Sequence, residues 1–134
     1  MIKHVINNNG GSAVAANWSI HVASGGVDIA GSPAAGSEVG TVYHPDAGTY
    51  AASETGGPTG YNFDGYSGDC NVNGVVTLGV GESKTCTLTN NDIAPTLTVI
   101  KHVINNNGGS AVAANWSIHV ASGGREEDRP EAKY

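Results

Sequence analysis

A block of 25 residues occurs twice in this chain: Ile2 to Gly26 is repeated, residue for residue, from Ile100 to Gly124. The offset between the two copies is 98 residues, and identity over such a length indicates a tandem array rather than shared composition. We therefore expect a window on a longer protein, with one whole repeat unit and the opening of the next. Met1 stands before the first copy where Val99 stands before the second, which suggests a start codon placed inside that longer protein.

A unit of 98 residues suits one small domain with a single core, and the chain is too short for two. Its 20 Gly and its low charged fraction of 13% favour short strands joined by tight turns over long helices. The net charge is −6, with only six Lys and Arg, which argues against a nucleic-acid partner. No apolar run is long enough for a membrane-spanning segment, so we expect any signal or anchor to lie outside this window.

Alternation of apolar and polar residues predicts the first strand, and it is clearest in the second copy, from Leu97 to Ile104. Further strands are expected at Trp18 to Val22, Thr41 to Tyr43, Thr49 to Glu54, Tyr61 to Phe63, Gly74 to Leu78 and Ser83 to Asn90. The last two are expected to form a hairpin around Val80 and Gly81. Six or seven short strands with regular turns predict an all-β fold, a small antiparallel β-sandwich.

These elements predict four segments. Residues 1–91 form a complete sandwich, and residues 92–96 form a short, stiff link. Residues 97–124 are the truncated start of the next repeat, and residues 125–134 are a charged tail of unknown origin.

Three polar residues fall at positions that the alternation directs into the core: Lys3, Glu54 and Asn90. The neighbouring Asn91 falls on the opposite face of its strand. An isolated charge in a protein core costs several kcal/mol, so buried groups of this kind must pair, become neutral or react. The sequence therefore predicts a buried polar cluster made of an amine, a carboxyl group and a carboxamide.

These residues resemble the Cna protein B-type, or prealbumin-like, domains of bacterial surface proteins. The resemblance rests on four short runs in the same order: TVIKHV of the first strand as it stands in the second copy, GTYAASE from Gly48 to Glu54, PTGY from Pro58 to Tyr61, and LTN from Leu88 to Asn90. It implies an Ig-like or prealbumin-like sandwich of about seven strands, followed by an incomplete second repeat. It also implies that the first and last strands lie side by side and run parallel.

The same resemblance implies an intramolecular isopeptide bond. Lys3 is then the nucleophile, Asn90 the electrophile and Glu54 the proton shuttle, while Lys101 is an unpaired copy of the lysine. The alternative is that Lys3 lies near a sheet edge and reaches solvent, with Glu54 as its salt-bridge partner.

Cys70 and Cys86 are the two cysteines of the chain, and their spacing fits no metal site. We expect a disulfide between them, which would place the protein in an oxidising compartment; two buried free thiols are the alternative. The five histidines are not grouped with carboxylates at ligand spacing, so we expect no metal and no cofactor.

The expected function is structural: a stalk or spacer repeat of a bacterial cell-surface or secreted adhesin or fibre protein. A turnover enzyme is not expected, because catalysis would be limited to one self-directed bond. The alternative is a surface module that binds carbohydrate or a host protein through Tyr43, Tyr61, Phe63 and Tyr66. The expected partners are neighbouring repeats of the parent chain, together with strand exchange between molecules through residues 97–124.

Overall fold

A computed structural model describes residues 1–123 and the backbone of residues 125 and 126. These residues divide into two units, residues 1–94 and residues 95–134, and the predicted charged tail from residue 127 onward lies outside the described part. In the described part, no helix has the length and apolar character of a membrane span.

The first unit contains eight strands and one short 3-10 helix. The strands are β1 (Ile2–Ile6), β2 (Trp18–Ser24), β3 (Val27–Asp28), β4 (Ala34–Ala35), β5 (Gly48–Gly56), β6 (Tyr61–Gly68), β7 (Val75–Leu78) and β8 (Cys86–Asp92), and the 3-10 helix is Ala15–Asn17. One sheet has the order β1-β8-β6, and the other has the order β3-β2-β5-β7 with β4 also paired to β2. The predicted all-β sandwich is confirmed.

The first and last strands, β1 and β8, are parallel neighbours, with Lys3 opposite Leu88 and Val5 opposite Asn90. Every other pairing among the described strands of this unit is antiparallel. The chain therefore enters the sheet at one end of the β1–β8 pair and leaves it at the other.

The core lies between the two sheets, because both contribute inward-facing residues at alternate positions. Its buried members are Trp18, Ile20, Val22, Tyr50, Ala52, Cys70, Val76, Cys86 and Leu88. In β8 the burial alternates along the whole strand, so that Cys86, Leu88, Asn90 and Asp92 all face inward. β8 thus continues to Asp92, one residue into the predicted link.

Two predicted strand features are wrong. β7 and β8 do not form a hairpin, because β7 pairs with β5 while β8 pairs with β1 and β6 in the other sheet. The segment from Thr41 to Tyr43 is not a strand. Val42 within it is 77% exposed and Tyr43 packs against the core, but the backbone hydrogen bonds that the structure gives this segment are the two between Thr41 and Met1, too few to make a strand.

The second copy of the repeated block keeps local structure but not the first strand. Its 3-10 helix (Ala113–Asn115) matches Ala15–Asn17, and a short strand pair joins β9 (Ala121–Ser122) to β10 (Arg125–Glu126). No strand is formed between residues 97 and 104, where alternation predicts one. The physical reason is pairing: β1 depends on β8, and residues 95–134 contain no second copy of the β8 sequence.

Candidate functional site

Lys3 lies in the middle of β1, and its exposed fraction is 0%. Its Nζ donates to Asn90 Oδ1 and to the backbone oxygen of Leu88 at 3.4 Å. The Nζ atom also lies 3.1 Å from Glu54 Oε1, in ion-pair range, although the two atoms do not form a hydrogen bond. The amine, carboxamide and carboxyl group of the predicted cluster are therefore brought together, and Lys3 does not reach solvent.

The three residues meet because two sheets and one parallel strand pair converge on them. Asn90 faces inward from β8 and is buried, two residues beyond the Leu88 that stands opposite Lys3. Glu54 comes from β5 in the other sheet, on the same side of the strand as the buried Tyr50 and Ala52. The site thus joins the two layers of the sandwich next to its parallel strand pair.

Trp18 covers the lysine amine. The Nζ atom of Lys3 lies 4.6 Å from the centroid of the Trp18 ring, and the ring is itself buried. The ring also packs on Tyr61 in a T-shaped contact with centroids 5.4 Å apart. The alternation in β2 predicts that Trp18 faces inward, but it does not predict that the ring lies over Lys3.

Burial disfavours the charged form of the lysine and lowers the pKa of Lys3 from its ordinary value of 10.5. The Glu54 carboxylate, and more weakly Glu38, offset part of this effect. Glu54 has a side chain that is 15% exposed, so the acid stands between the buried amine and solvent. A lysine with a lowered pKa has a larger population of the neutral amine, the form that can act as a nucleophile.

Asp92, which sequence reasoning assigns to the link, instead fastens the Asn-rich loop after β1. Its carboxylate accepts hydrogen bonds from the backbone N–H groups of Asn8, Asn9 and Gly11 at 3.1, 2.9 and 2.8 Å. Burial tends to raise the pKa of Asp92, but these bonds outweigh it and lower the pKa below 3.8. Extending the alternation of β8 by one more step would have placed Asp92 inside.

Cys70 and Cys86 form a disulfide with their Cα atoms 5.2 Å apart, and the described residues include no free cysteine. The predicted pairing is thus present, and the alternative of two free thiols is wrong. The bond links the segment after β6 to the first residue of β8. It therefore fastens the strand that carries Asn90.

His4 and His21 each contact a carboxylate, Glu38 at 2.8 Å and Asp28 at 3.1 Å respectively. Among residues 1–123 no three His, Cys, Asp or Glu side chains are grouped to hold a metal ion.

Of the four aromatic residues considered for ligand binding, Phe63 is exposed, at 42%. Tyr61 and Tyr66 use their hydroxyl groups inside the domain, with Ala13 N–H and the Ala52 oxygen at 3.0 Å each. The hydroxyl of Tyr43 is buried.

Lys101 keeps the tryptophan contact of Lys3 but not its burial or its chemical partners. Its Nζ lies 4.4 Å from the centroid of the Trp116 ring, as Lys3 lies over Trp18. Residues 95–134 contain no counterpart of the Glu54 or Asn90 segments. The amine of Lys101 therefore has no equivalent acid or carboxamide within its own unit.

A family model described as a prealbumin-like fold domain matches residues 1–88. The match includes Lys3 and Glu54 and ends two residues before Asn90. No curated protein and no solved structure gives a significant match. The matched segment takes up more than half of the chain, and its two-sheet architecture agrees with the family description. The chain therefore belongs to the family of prealbumin-like fold domains.

Proposed function

We propose that this protein is a structural repeat, a stalk or spacer of an extracellular adhesin or fibre, that crosslinks itself through an isopeptide bond between Lys3 and Asn90. One observation carries the proposal: the amine of a fully buried lysine contacts the side-chain oxygens of both Asn90 and Glu54. A buried lysine with a single ion-pair partner would need no carboxamide on its other side. This grouping supports a reaction rather than a salt bridge alone.

In the proposed reaction the neutral Nζ of Lys3 attacks Cγ of Asn90. A new C–N bond forms, the bond from Cγ to Nδ2 breaks, and the former side-chain nitrogen leaves as ammonia. Glu54 carries one proton from the attacking amine to the departing nitrogen, so it ends the reaction in the protonation state in which it began. Trp18 and the surrounding core exclude water, which favours amide formation over hydrolysis of Asn90.

The bond would fasten β1 to β8 and close a loop of 86 intervening residues. On the chain-entropy model, a closure of that length stabilises the fold by about 4–5 kcal/mol. No further turnover follows, because the lysine and asparagine are consumed. The repeated block and the disulfide support a role in an oxidising, extracellular setting, where identical domains follow one another.

Intact mass measurement of the full chain tests the bond. We expect the wild-type protein to be lighter than its disulfide-bonded sequence mass by one ammonia, and Glu54→Gln to have the full mass. Glu38→Gln is the matched control, because Glu38 is an acid beside β1 that bonds His4 and the Val5 N–H rather than Lys3. It should lose ammonia as the wild type does. A folded wild-type protein at full mass would refute the crosslink.

A further inference from the structure

A groove of about 740 Å³ opens beside the start of β1 in the first unit. Met1, Tyr43, Tyr50, Leu78 and Lys84 are among the residues that line it. Apolar side chains thus form part of the wall of an open groove, as expected of a surface that a further segment of chain covers.

The backbone at Met1 already shows how such a segment would run. The Met1 N-terminal amine donates to the Thr41 oxygen at 2.9 Å, and the Thr41 N–H donates to the Met1 oxygen at 2.7 Å. These two reciprocal hydrogen bonds are typical of an antiparallel strand pair. If the strand continued before Met1, the residue two positions earlier would pair with Tyr43. On the other side of β1, the parallel register with β8 places the residue two positions before Met1 opposite Lys84. Both residues line the groove.

Side-chain direction places the residue two positions before Met1 inside this groove. Met1 packs against the core and Lys3 is buried, so both lie on the inward face of the strand. Because strand side chains alternate, a residue two positions earlier shares that face. In the tandem array Val99 occupies the place of Met1, and the residue two positions before Val99 is Leu97.

We propose that the groove holds the segment that precedes Ile2 in the tandem array, which has the sequence of Thr96–Val99 and comes from the end of the preceding repeat unit. The Leu97 side chain lies in the groove, its backbone pairs with Tyr43, and Thr98 faces outward beside the exposed Val42. The segment carries no charge, so its burial leaves no ion without a partner. This inference rests on the proposed repeat function and deepens it, since it makes Thr96, the last residue of the predicted link, part of the later domain.

The consequence is a short and stiff joint. The Ile93 N–H donates to the Gly60 oxygen at 2.8 Å, which fixes the chain one residue beyond β8. If Thr96 already belongs to the following domain, Ala94 and Pro95 are what separates the two folded bodies. Proline fixes its own φ angle, so a link of these two residues has little backbone freedom.

The test uses the full chain with its N-terminus changed from Met1 to Met-Thr-Leu-Thr-Val before Ile2. The matched control has the same length but carries Asp in place of Leu. We expect the Leu version to melt higher than the control by on the order of 5 °C, because an apolar side chain becomes buried. We also expect the amide hydrogen of Tyr43 to exchange with solvent roughly tenfold more slowly in the Leu version than in the Asp control, because it gains a backbone hydrogen-bond partner.

Equal melting temperatures together with equal Tyr43 exchange would overturn the proposal and leave the groove to another occupant, such as a free peptide or a sugar. The same samples report separately on the crosslink, because loss of ammonia is read from intact mass whatever the groove contains. Failure of the crosslink and failure of the groove proposal are therefore distinguishable.

Discussion

Gly36 lies directly against the side chain of Lys3: a Cβ atom at position 36 would stand 2.8 Å from Lys3 Cγ and 2.3 Å from the backbone oxygen of Ala15. Distances below 3.0 Å are essentially never seen for real Cβ atoms, so a side chain here would displace the lysine or the backbone. The Gly36 N–H also donates to the Trp18 oxygen at 2.9 Å. The missing side chain of Gly36 is thus what allows the lysine to lie in the core.

We predict that Gly36→Ala destabilises the fold by about 1–3 kcal/mol, the usual cost of an overpacked core. The measurement is denaturant unfolding in a Glu54→Gln background, where the proposed bond is absent and unfolding is reversible. Gly48→Ala is the matched control, because a Cβ there meets nothing closer than 3.6 Å. Equal stability of the two alanine variants would contradict the close packing at Lys3.

The lowered pKa of Lys3 predicts a pH dependence in protein that has not crosslinked. Between the lowered folded value and the ordinary 10.5, the unfolded chain binds a proton at Lys3 that the folded chain does not. The free energy of unfolding should therefore rise with pH across that window. We expect this rise in Glu54→Gln protein and a flatter profile when Lys3→Met is added, measured by urea midpoints.

The Met1 amine and two tyrosines limit the pH range in which that experiment reports on Lys3. The Met1 amine has a pKa lowered from 8.0 by burial, so it adds a rise below pH 8.0 to both proteins. Burial raises the pKa of Tyr43 and of Tyr66 above 10.0, so these groups lower the stability at higher pH. The comparison therefore belongs between pH 8.0 and 10.0, and identical slopes there would argue against a buried lysine.

The disulfide predicts a second, independent contribution to stability. Replacing both Cys70 and Cys86 by Ser should lower the free energy of unfolding by roughly 3 kcal/mol, as expected for a closed loop of this size. The loss of ammonia should persist, because the Lys3 contacts do not involve either sulfur. Thiol labelling of native protein without reductant checks the pairing directly; stoichiometric reaction at both cysteines would contradict it.

The second copy predicts covalent oligomers when Lys3 is removed. In Lys3→Ala protein, Glu54 and Asn90 lack a nucleophile, and the identical block around Lys101 of another molecule supplies one in the sequence context of β1. Replacement within one molecule is disfavoured, because a parallel neighbour needs a crossover of a dozen or more residues and the link is far shorter. We expect a ladder on a reducing denaturing gel that grows with protein concentration.

The control for that ladder is Lys3→Ala combined with Lys101→Ala, which should remain monomeric. Wild-type protein should also be mostly monomeric, because its own Lys3 is always present at high effective concentration. A Lys3→Ala protein without oligomers at every concentration would rule out strand exchange through residues 97–124.

Alternation alone predicts much of the candidate site. It directs Glu54 and Asn90 inward because apolar and polar residues alternate along both strands, and the structure brings these residues to Lys3. It fails at Val80 and Gly81, since turn residues specify a chain reversal but not which sheet the next strand joins. The partners of β8 are distant in sequence, from Ile2 to Ile6 and from Tyr61 to Gly68, so no local pattern reveals them.

Other features depend on tertiary contacts that no local sequence signal marks. Gly36 is one glycine among many, and its importance follows from the lysine that passes over it. The second copy shows the same dependence in reverse, because an identical sequence forms β1 in one unit and no strand in the other. Formation of the first strand of this block is therefore decided by the presence of β8 rather than by propensity.

The parallel pairing of β1 and β8 decides how a pulling force would travel. A chain that enters beside Lys3 and leaves beside Asn90 is loaded along the strand pair, and without a crosslink its 86 intervening residues could extend by about 290 Å. With the proposed bond in place, tension passes from β1 directly to β8, and the 86 residues between Lys3 and Asn90 are not stretched. The disulfide lies inside the bypassed loop and bears no load, so a fibre of such repeats would be nearly inextensible even under reducing conditions.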